Sequence, residues 1–350
     1  MIWWSILVGF LVALILVPVV RKLAFMIGAV DVPRQRHMHK KTTATLGGVA
    51  FFLGFTAGVI FLPIDWMEFL PVYVGGLIIV ILGIIDDIIE LAPRYKLLGQ
   101  IAAALCVTVW GHISIGFINI PFYGQLEFGV FGIPISILWI VAIINALNLI
   151  DGLDGLAGGV SFIALMTIAG MAILLKDTFV APIAFVLAAA VLGFLIFNFP
   201  PASIFMGDTG AQFLGYMIAV LSLMGFKNVT FISLLVPIII LGVPLSDTFF
   251  AIIRRWKAKV PISMADRSHL HHRLMALGFT PRQTVLLIYA MALLFSMTGF
   301  VFSFSTTWGA AILLILLLIS VEVIVEFIGL VGENYRPILQ LLQKIHRKRR

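Results

Sequence analysis

FGIPISILWIVAIINALNLIDGLDGLAGG, residues 131–159, begins as an apolar run long enough to cross a bilayer and ends in Asn145, Asn148, Asp151 and Asp154, each three residues from the last. At about 1.5 Å per residue, an unbroken helix over 131–149 matches the roughly 30 Å hydrocarbon core. On a regular helix, steps of three set successive side chains back by about 60°, spreading the four polar groups over a half-circle. The Asp-Gly pairs favour a tight turn after Asn148 instead, which would gather the four toward one point. Glycines there also let backbone N–H groups approach a phosphate closely.

The rest of the chain repeats the apolar half of this pattern. It is 62% hydrophobic and 11% charged, with mean hydropathy +1.15, which excludes a soluble globular domain. Spans are expected near 2–20, 46–63, 70–89, 97–113, 131–149, 157–175, 179–197, 210–225, 229–250, 283–303 and 308–329. The expected fold class is therefore all-α: a polytopic membrane bundle of about eleven helices in one catalytic domain over 1–330, followed by a basic tail over 331–350. Arg21 and Lys22 follow the first apolar run and do not precede it, so that run reads as a retained span. The lone cysteine, Cys106, offers neither an intramolecular disulfide nor a cysteine metal site, and reads as a small buried hydrophobe.

Charge sets the expected orientation. An odd span count puts the termini on opposite sides, and the tail KIHRKRR (344–350) favours the cytoplasm. With the N-terminus outside, 21 of the 23 Lys and Arg fall on inward segments, leaving Lys176 and Lys227 outside. The net charge of +7 is explained by this asymmetry without a nucleic-acid partner. The same topology gathers the unusual polar residues on the cytoplasmic face: Asp86-Asp87, the 145–159 stretch, FNFPPASIFMGDTG (197–210) and MADRSHLHHRL (264–274).

Each of these groups suggests a chemistry. Asp86 and Asp87 point about 100° apart on a helix, so different partners are expected for them. Asp208 reads as an N-cap, and its carboxylate also suits a hard cation such as Mg²⁺, which takes few protein oxygens and completes its shell with water and phosphate. Phe205 reads as packing or as a stacking surface for a base. His269, His271 and His272 lie in a basic loop. Splayed neighbours without a nearby cysteine argue against zinc and favour donors to a diphosphate. Glu322 and Glu326, i, i+4 near the end of the last span, are left outside the site. Carboxylates, amides, lysines and histidines on one membrane face suit transfer between a water-soluble polyanion and a lipid-bound acceptor.

Five ordered stretches, LGGVAFF (46–52), DDIIELAPRYKLLGQ (86–100), NALNLIDGLDGLAGG (145–159), FNFPPASIFMGDTG and SHLHHRL (268–274), make the chain resemble the polyprenyl-phosphate N-acetylhexosamine-1-phosphate transferases over about residues 37–290. The 268–289 stretch resembles the branch that uses UDP-N-acetylglucosamine, particularly the Gram-positive enzyme that starts wall teichoic acid synthesis. The pentapeptide transferase branch shows three consecutive histidines, and here Leu270 interrupts them.

The resemblance implies transfer of a sugar 1-phosphate from a UDP-sugar to undecaprenyl phosphate with release of UMP, dependent on Mg²⁺, with Mn²⁺ as a substitute. It implies Asp208 as principal metal ligand with Asn148 as a second. Asp86, Asp87, Asp151 and Asp154 become the catalytic carboxylates, the first two on the lipid-phosphate side and the other two supporting the nucleotide. Lys96, Asn145, Phe205 and the three histidines bind nucleotide sugar and phosphate, with Lys41, Asn198 and Arg273 as additional candidates. The partners implied are UDP-N-acetylglucosamine, undecaprenyl phosphate and the plasma membrane, with a homodimer as one oligomeric option. Two alternatives stay open. One is the same chemistry on another donor, such as UDP-N-acetylmuramoyl-pentapeptide. The other is a lipid or ion transporter, whose polar groups would lie near the midplane at broken spans, of which the sequence shows few.

Overall fold

The computed structural model describes residues 2–32, 42–120, 124–226, 231–257, 259, 269–330 and 337. The chain divides into two units, 1–234 and 235–350. The first holds α1 (Ile2–Ile27), the short strands β1 (Val30–Asp31) and β2 (Thr43–Ala44), α2 (Gly47–Ile60), α3 (Trp66–Ile89), α4 (Pro93–Leu105), a hairpin of β3 (Phe117–Ile120) and β4 (Gly124–Glu127), α5 (Gly132–Ile150), α6 (Leu156–Leu174), α7 (Val180–Asn198) and α8 (Gly207–Phe226). After α9 (Phe231–Ile240), which straddles the boundary, the second holds α10 (Gly242–Lys257), α11 (Leu270–Ala276), α12 (Pro281–Ser303) and α13 (Thr307–Ile328). Helix dominates, as expected of a polytopic membrane protein. The two small antiparallel hairpins, Val30–Asp31 with Thr43–Ala44 and Phe117–Ile120 with Gly124–Glu127, depart from an all-helical reading.

Seven described helices are long and apolar enough to cross a membrane: α1, α3, α5 with the turn before it, α6, α7, α12 and α13. The other four expected stretches are not among these seven. Residues 46–63 form only the 14-residue α2. Residues 97–113 form the 13-residue α4 and then a π-helical turn, Cys106–Trp110, whose cysteine is half-buried. Residues 210–225 lie in α8, which is packed in the interior of its unit. Residues 229–250 break into α9 and α10 beside Leu241. Pro244 has no N–H to give the Ile240 carbonyl four residues back, so the helical ladder is interrupted there.

Close helix approach in the first unit follows from small residues. The buried face of α1 is Ser5, Gly9, Ala13, Val17, Val20 and Ala24, a ridge with almost no side-chain bulk at its start. A Cβ on Gly54 of α2 would lie 2.7 Å from Ala13 Cβ, so α1 and α2 touch along their backbones, the packing available where lipid offers no hydrophobic drive. α8 sits at the centre, against α2, α3, α5 and α6. Its Tyr216 is fully buried and donates its hydroxyl to the Val72 carbonyl at 2.9 Å.

Candidate active site

The end of α3, the start of α4, the end of α5 and the start of α8 meet at one place. Asp86 and Asp87 take the separate partners that their 100° offset predicts. Asp86 is buried, accepts the Leu91 N–H at 2.7 Å through Oδ1 and pairs with Lys96 through Oδ2. Lys96 Nζ also reaches Asp208 Oδ2 at 2.9 Å, so one ammonium joins two carboxylates. Burial works against the Lys96 charge, but Asp208 and Asp86 outweigh it and hold its pKa above the ordinary lysine value.

Asp87 is engaged differently. Its Oδ1 accepts the Asp208 N–H at 2.8 Å, and its Oδ2 accepts the Thr209 N–H at 3.2 Å and the Thr209 hydroxyl at 2.7 Å. A carboxylate from α3 thus caps α8, satisfying donors that a helix start leaves unpaired. Asp208 is consequently not an N-cap as expected. It is the second residue of α8, and the capping oxygens come from 121 positions away. The expectation that Asp86 and Asp87 face the lipid phosphate meets a further obstacle: both are committed to protein partners, and the Asp86 side chain is fully buried while Lys96 and Asp208 are 24% and 29% exposed.

The 145–159 stretch divides its polar groups. α5 runs on to Ile150, so the turn comes later than expected, and Asp151 closes the helix. Asn148 interacts with the Asp208 carboxylate, and Asp151 feels the charges of Asp208, Asp87 and Asp154. Asn145 remains exposed and is held by protein partners, donating to Gln100 Oε1 at 2.8 Å; Gln100 donates in turn to Gln212 Oε1 at 3.1 Å. Asp154 accepts the Ala202 N–H at 2.9 Å. Asn198 is buried, accepting the Gly155 N–H at 3.0 Å and donating to the Ile204 carbonyl at 2.9 Å, so it pins the loop after α5 to the loop before α8. Phe205 is half-buried, and its backbone is bonded to Ala44 and Gly47. Lys41 lies outside the described residues.

Sequence reasoning missed the glycines that let these segments meet. Gly47 and Gly48 donate to the Phe205 and Met206 carbonyls, and a Cβ on Gly48 would lie 2.3 Å from the Gly210 nitrogen. The repeated glycines of LGGVAFF are the signal that could have shown it.

Burial, followed by the charges of Asp208, Asp87 and Asp154, pushes the Asp151 carboxyl up to about 8. Such uncompensated negative charge is what a divalent cation relieves. Among the described residues no three of His, Cys, Asp and Glu are arranged as a closed cage. A cation here would take one or two protein oxygens, from Asp208 with Asn148 or Asp151, and fill the rest of its shell with water and phosphate. That is the habit of Mg²⁺ and not of structural zinc.

The second unit carries the histidines. His269 Nδ1 lies 2.9 Å from Asp247 Oδ2, and the His271 ring is parallel to that of His269 with centroids 6.0 Å apart. Burial first, then His272, pushes the His271 pKa down to about 4. Arg273 follows on α11 with a buried Nε. Asp247, which holds His269, carries no motif around it and was not anticipated. Glu326, left outside the site, is fully buried.

The sequence profile of glycosyl transferase family 4 matches residues 69–226, from α3 through α8, and so spans Asp86, Asp87, Asp151, Asp154 and Asp208. A Bacillus subtilis (strain 168) protein named "Probable undecaprenyl-phosphate N-acetylglucosaminyl 1-phosphate transferase" is 44% identical over 344 residues, covering 97% of this chain and 96% of the relative. The chain belongs to glycosyl transferase family 4. Other members of the family extend the comparison. A Mycolicibacterium smegmatis decaprenyl-phosphate N-acetylglucosaminephosphotransferase is 35% identical over 304 residues, 77% of this chain and 74% of its own. An Escherichia coli K12 undecaprenyl-phosphate alpha-N-acetylglucosaminyl 1-phosphate transferase is 28% identical over 312 residues, 86% and 83% respectively.

Proposed function

We propose that this family 4 protein transfers N-acetylglucosamine 1-phosphate from UDP-N-acetylglucosamine to undecaprenyl phosphate, releasing UMP, at the cytoplasmic face of an eleven-span bundle. The product would start an envelope polymer such as wall teichoic acid. The observation that carries the reading is the meeting of Asp86, Lys96, Asp87, Asp208, Asn148 and Asp151 at the ends of four helices, in a chain 44% identical along its length to the Bacillus subtilis relative.

The chemistry follows from which groups are committed and which are presented. An oxygen of the prenyl phosphate attacks the β-phosphorus of the donor in line with departing UMP. One P–O bond forms and the bridging P–O bond breaks. The second pKa of a phosphate monoester is about 6, so the acceptor is largely dianionic at neutral pH and needs no strong base. The attack therefore asks for no strong base from Asp86 or Asp87 and can proceed as one displacement. In this reading Asp86 orients Lys96, Asp87 fixes the first turn of α8, and the partly exposed Lys96 and Asp208 face the reactants. Mg²⁺, bound through Asp208 and Asn148, would neutralise the diphosphate of the donor. Asp151 and Asp154 support the nucleotide side, and Phe205 offers a surface for uracil.

The test is UMP release and lipid-linked product formation by the purified protein in detergent, with UDP-N-acetylglucosamine and the pentapeptide donor in competition. Release from UDP-N-acetylglucosamine alone supports the reading. Preference for the pentapeptide donor would reassign the substrate, and no release with either would reject transfer.

A further inference from the structure

Asp247 lies in the middle of α10 and is only 2% exposed. Its two oxygens have separate partners. Oδ1 accepts the Leu270 N–H at 2.9 Å, where α11 begins, and Oδ2 lies 2.9 Å from His269 Nδ1. A carboxylate only accepts hydrogen bonds, so the contact with Nδ1 requires the ring proton on that nitrogen. The neutral ring then has a lone pair, and no proton, at Nε2. The His271 ring lies parallel to that of His269, within 1° and with centroids 6.0 Å apart.

We propose that Asp247 is a positioning residue that locks His269 in its Nδ1–H tautomer and so presents Nε2 as a proton acceptor toward a phosphate-bearing substrate. The proton moves from a phosphate O–H to Nε2, no other bond changes, and Asp247 balances the imidazolium that results. The substrate class rests on the transferase reading above. The tautomer rests on the second unit alone.

Asp247→Asn separates this role from a structural one. To keep the start of α11, the amide oxygen must stay with the Leu270 N–H, which places the NH₂ group against His269 Nδ1. A donor at that position forces the lone pair onto Nδ1 and the proton onto Nε2. Full-length protein with ring-¹⁵N histidine, its His269 signals assigned by their loss in His269→Gln, is expected to show protonated Nδ1 in the wild type and protonated Nε2 in Asp247→Asn. UMP release by the variant is expected to fall about tenfold or more below about pH 6, where the acceptor phosphate still carries its second proton, and to approach the wild type at pH 8. Asp247→Glu, which restores an acceptor, should recover part of the rate.

A wild-type His269 protonated at Nε2 overturns the proposal. So does an Asp247→Asn protein with the switched tautomer and wild-type turnover below about pH 6. Should that variant fail to fold, the wild-type ring nitrogens still decide. Should the wild type release no UMP, the transferase reading fails, while the nitrogen assignment still tests the dyad.

Discussion

Asp87 and Asp208 adjoin at the head of α8, yet the same chemical change should act on them in opposite ways. Asp87→Asn places an amide NH₂ among three donors, the Asp208 and Thr209 N–H groups and the Thr209 hydroxyl. Leaving buried donors unsatisfied costs about 1–3 kcal/mol, so thermal melts of this variant should drop. Asp208→Asn keeps its backbone in place and should melt near the wild type, while UMP release falls about 10²-fold or more through loss of a charge at a phosphoryl-transfer centre. Asp151 yields a pH prediction. Its carboxyl is raised from an ordinary 3.8 to about 8, so the folded chain holds that proton more tightly than the unfolded one. The stability it contributes is complete below about pH 4 and is lost as pH climbs through 8. Cation-free protein should therefore melt lower at pH 8 than at pH 6. Added Mg²⁺ should raise the melting temperature more at pH 8, and Asp151→Asn should flatten both trends. Equal Mg²⁺ effects at the two pH values would argue against a cation beside Asp151.

Elements converge on the site only where side chains are missing. A Cβ on Gly83 of α3 would lie 2.3 Å from Thr209 Cα, a backbone atom that cannot rotate aside. Gly83→Ala should cost about 1–3 kcal/mol by overpacking and displace the first turn of α8, lowering turnover with stability. Gly170→Ala in α6 meets nothing within 4 Å and should be neutral or gain up to about 1 kcal/mol, as alanine does over glycine in a helix interior. Parallel melts and rates of the two variants test this directly. The apolar run at 131–149 was legible almost to its ends, because length and hydropathy are local properties and α5 occupies 132–150. Divergent partners for Asp86 and Asp87 were legible for the same reason, from helix geometry. The capping of α8 by Asp87 was not, since no local pattern links residues 121 positions apart. Asp247 escaped notice because its meaning lies in a histidine 22 positions later. The break between α9 and α10 did have a visible sign in Pro244, which the continuous hydropathy of the region masked.

The arrangement of the whole molecule in the bilayer is testable through its charge asymmetry. In a Cys106→Ala background, Lys176→Cys should react with an impermeant thiol reagent in intact cells and Lys259→Cys only after permeabilisation, since both positions are exposed on the protein. Reaction of both from outside would reject the orientation. The contact between Asp87 and α8 also constrains how the chain is threaded. Two points that touch must lie on the same membrane face, and in the eleven-span arrangement proposed above the stretches holding α4, α5, α6 and α7 would supply four crossings between them. A ribosome adding about 5–20 residues per second needs roughly 6–24 s to make the intervening chain, during which the end of α3 waits without its acceptors. One helix inserted wrongly in that interval would leave Asp87 and Asp208 on opposite sides of the lipid. Under the proposed topology the cap would act as a parity check on insertion, closing only on a chain that has crossed the membrane an even number of times between α3 and α8.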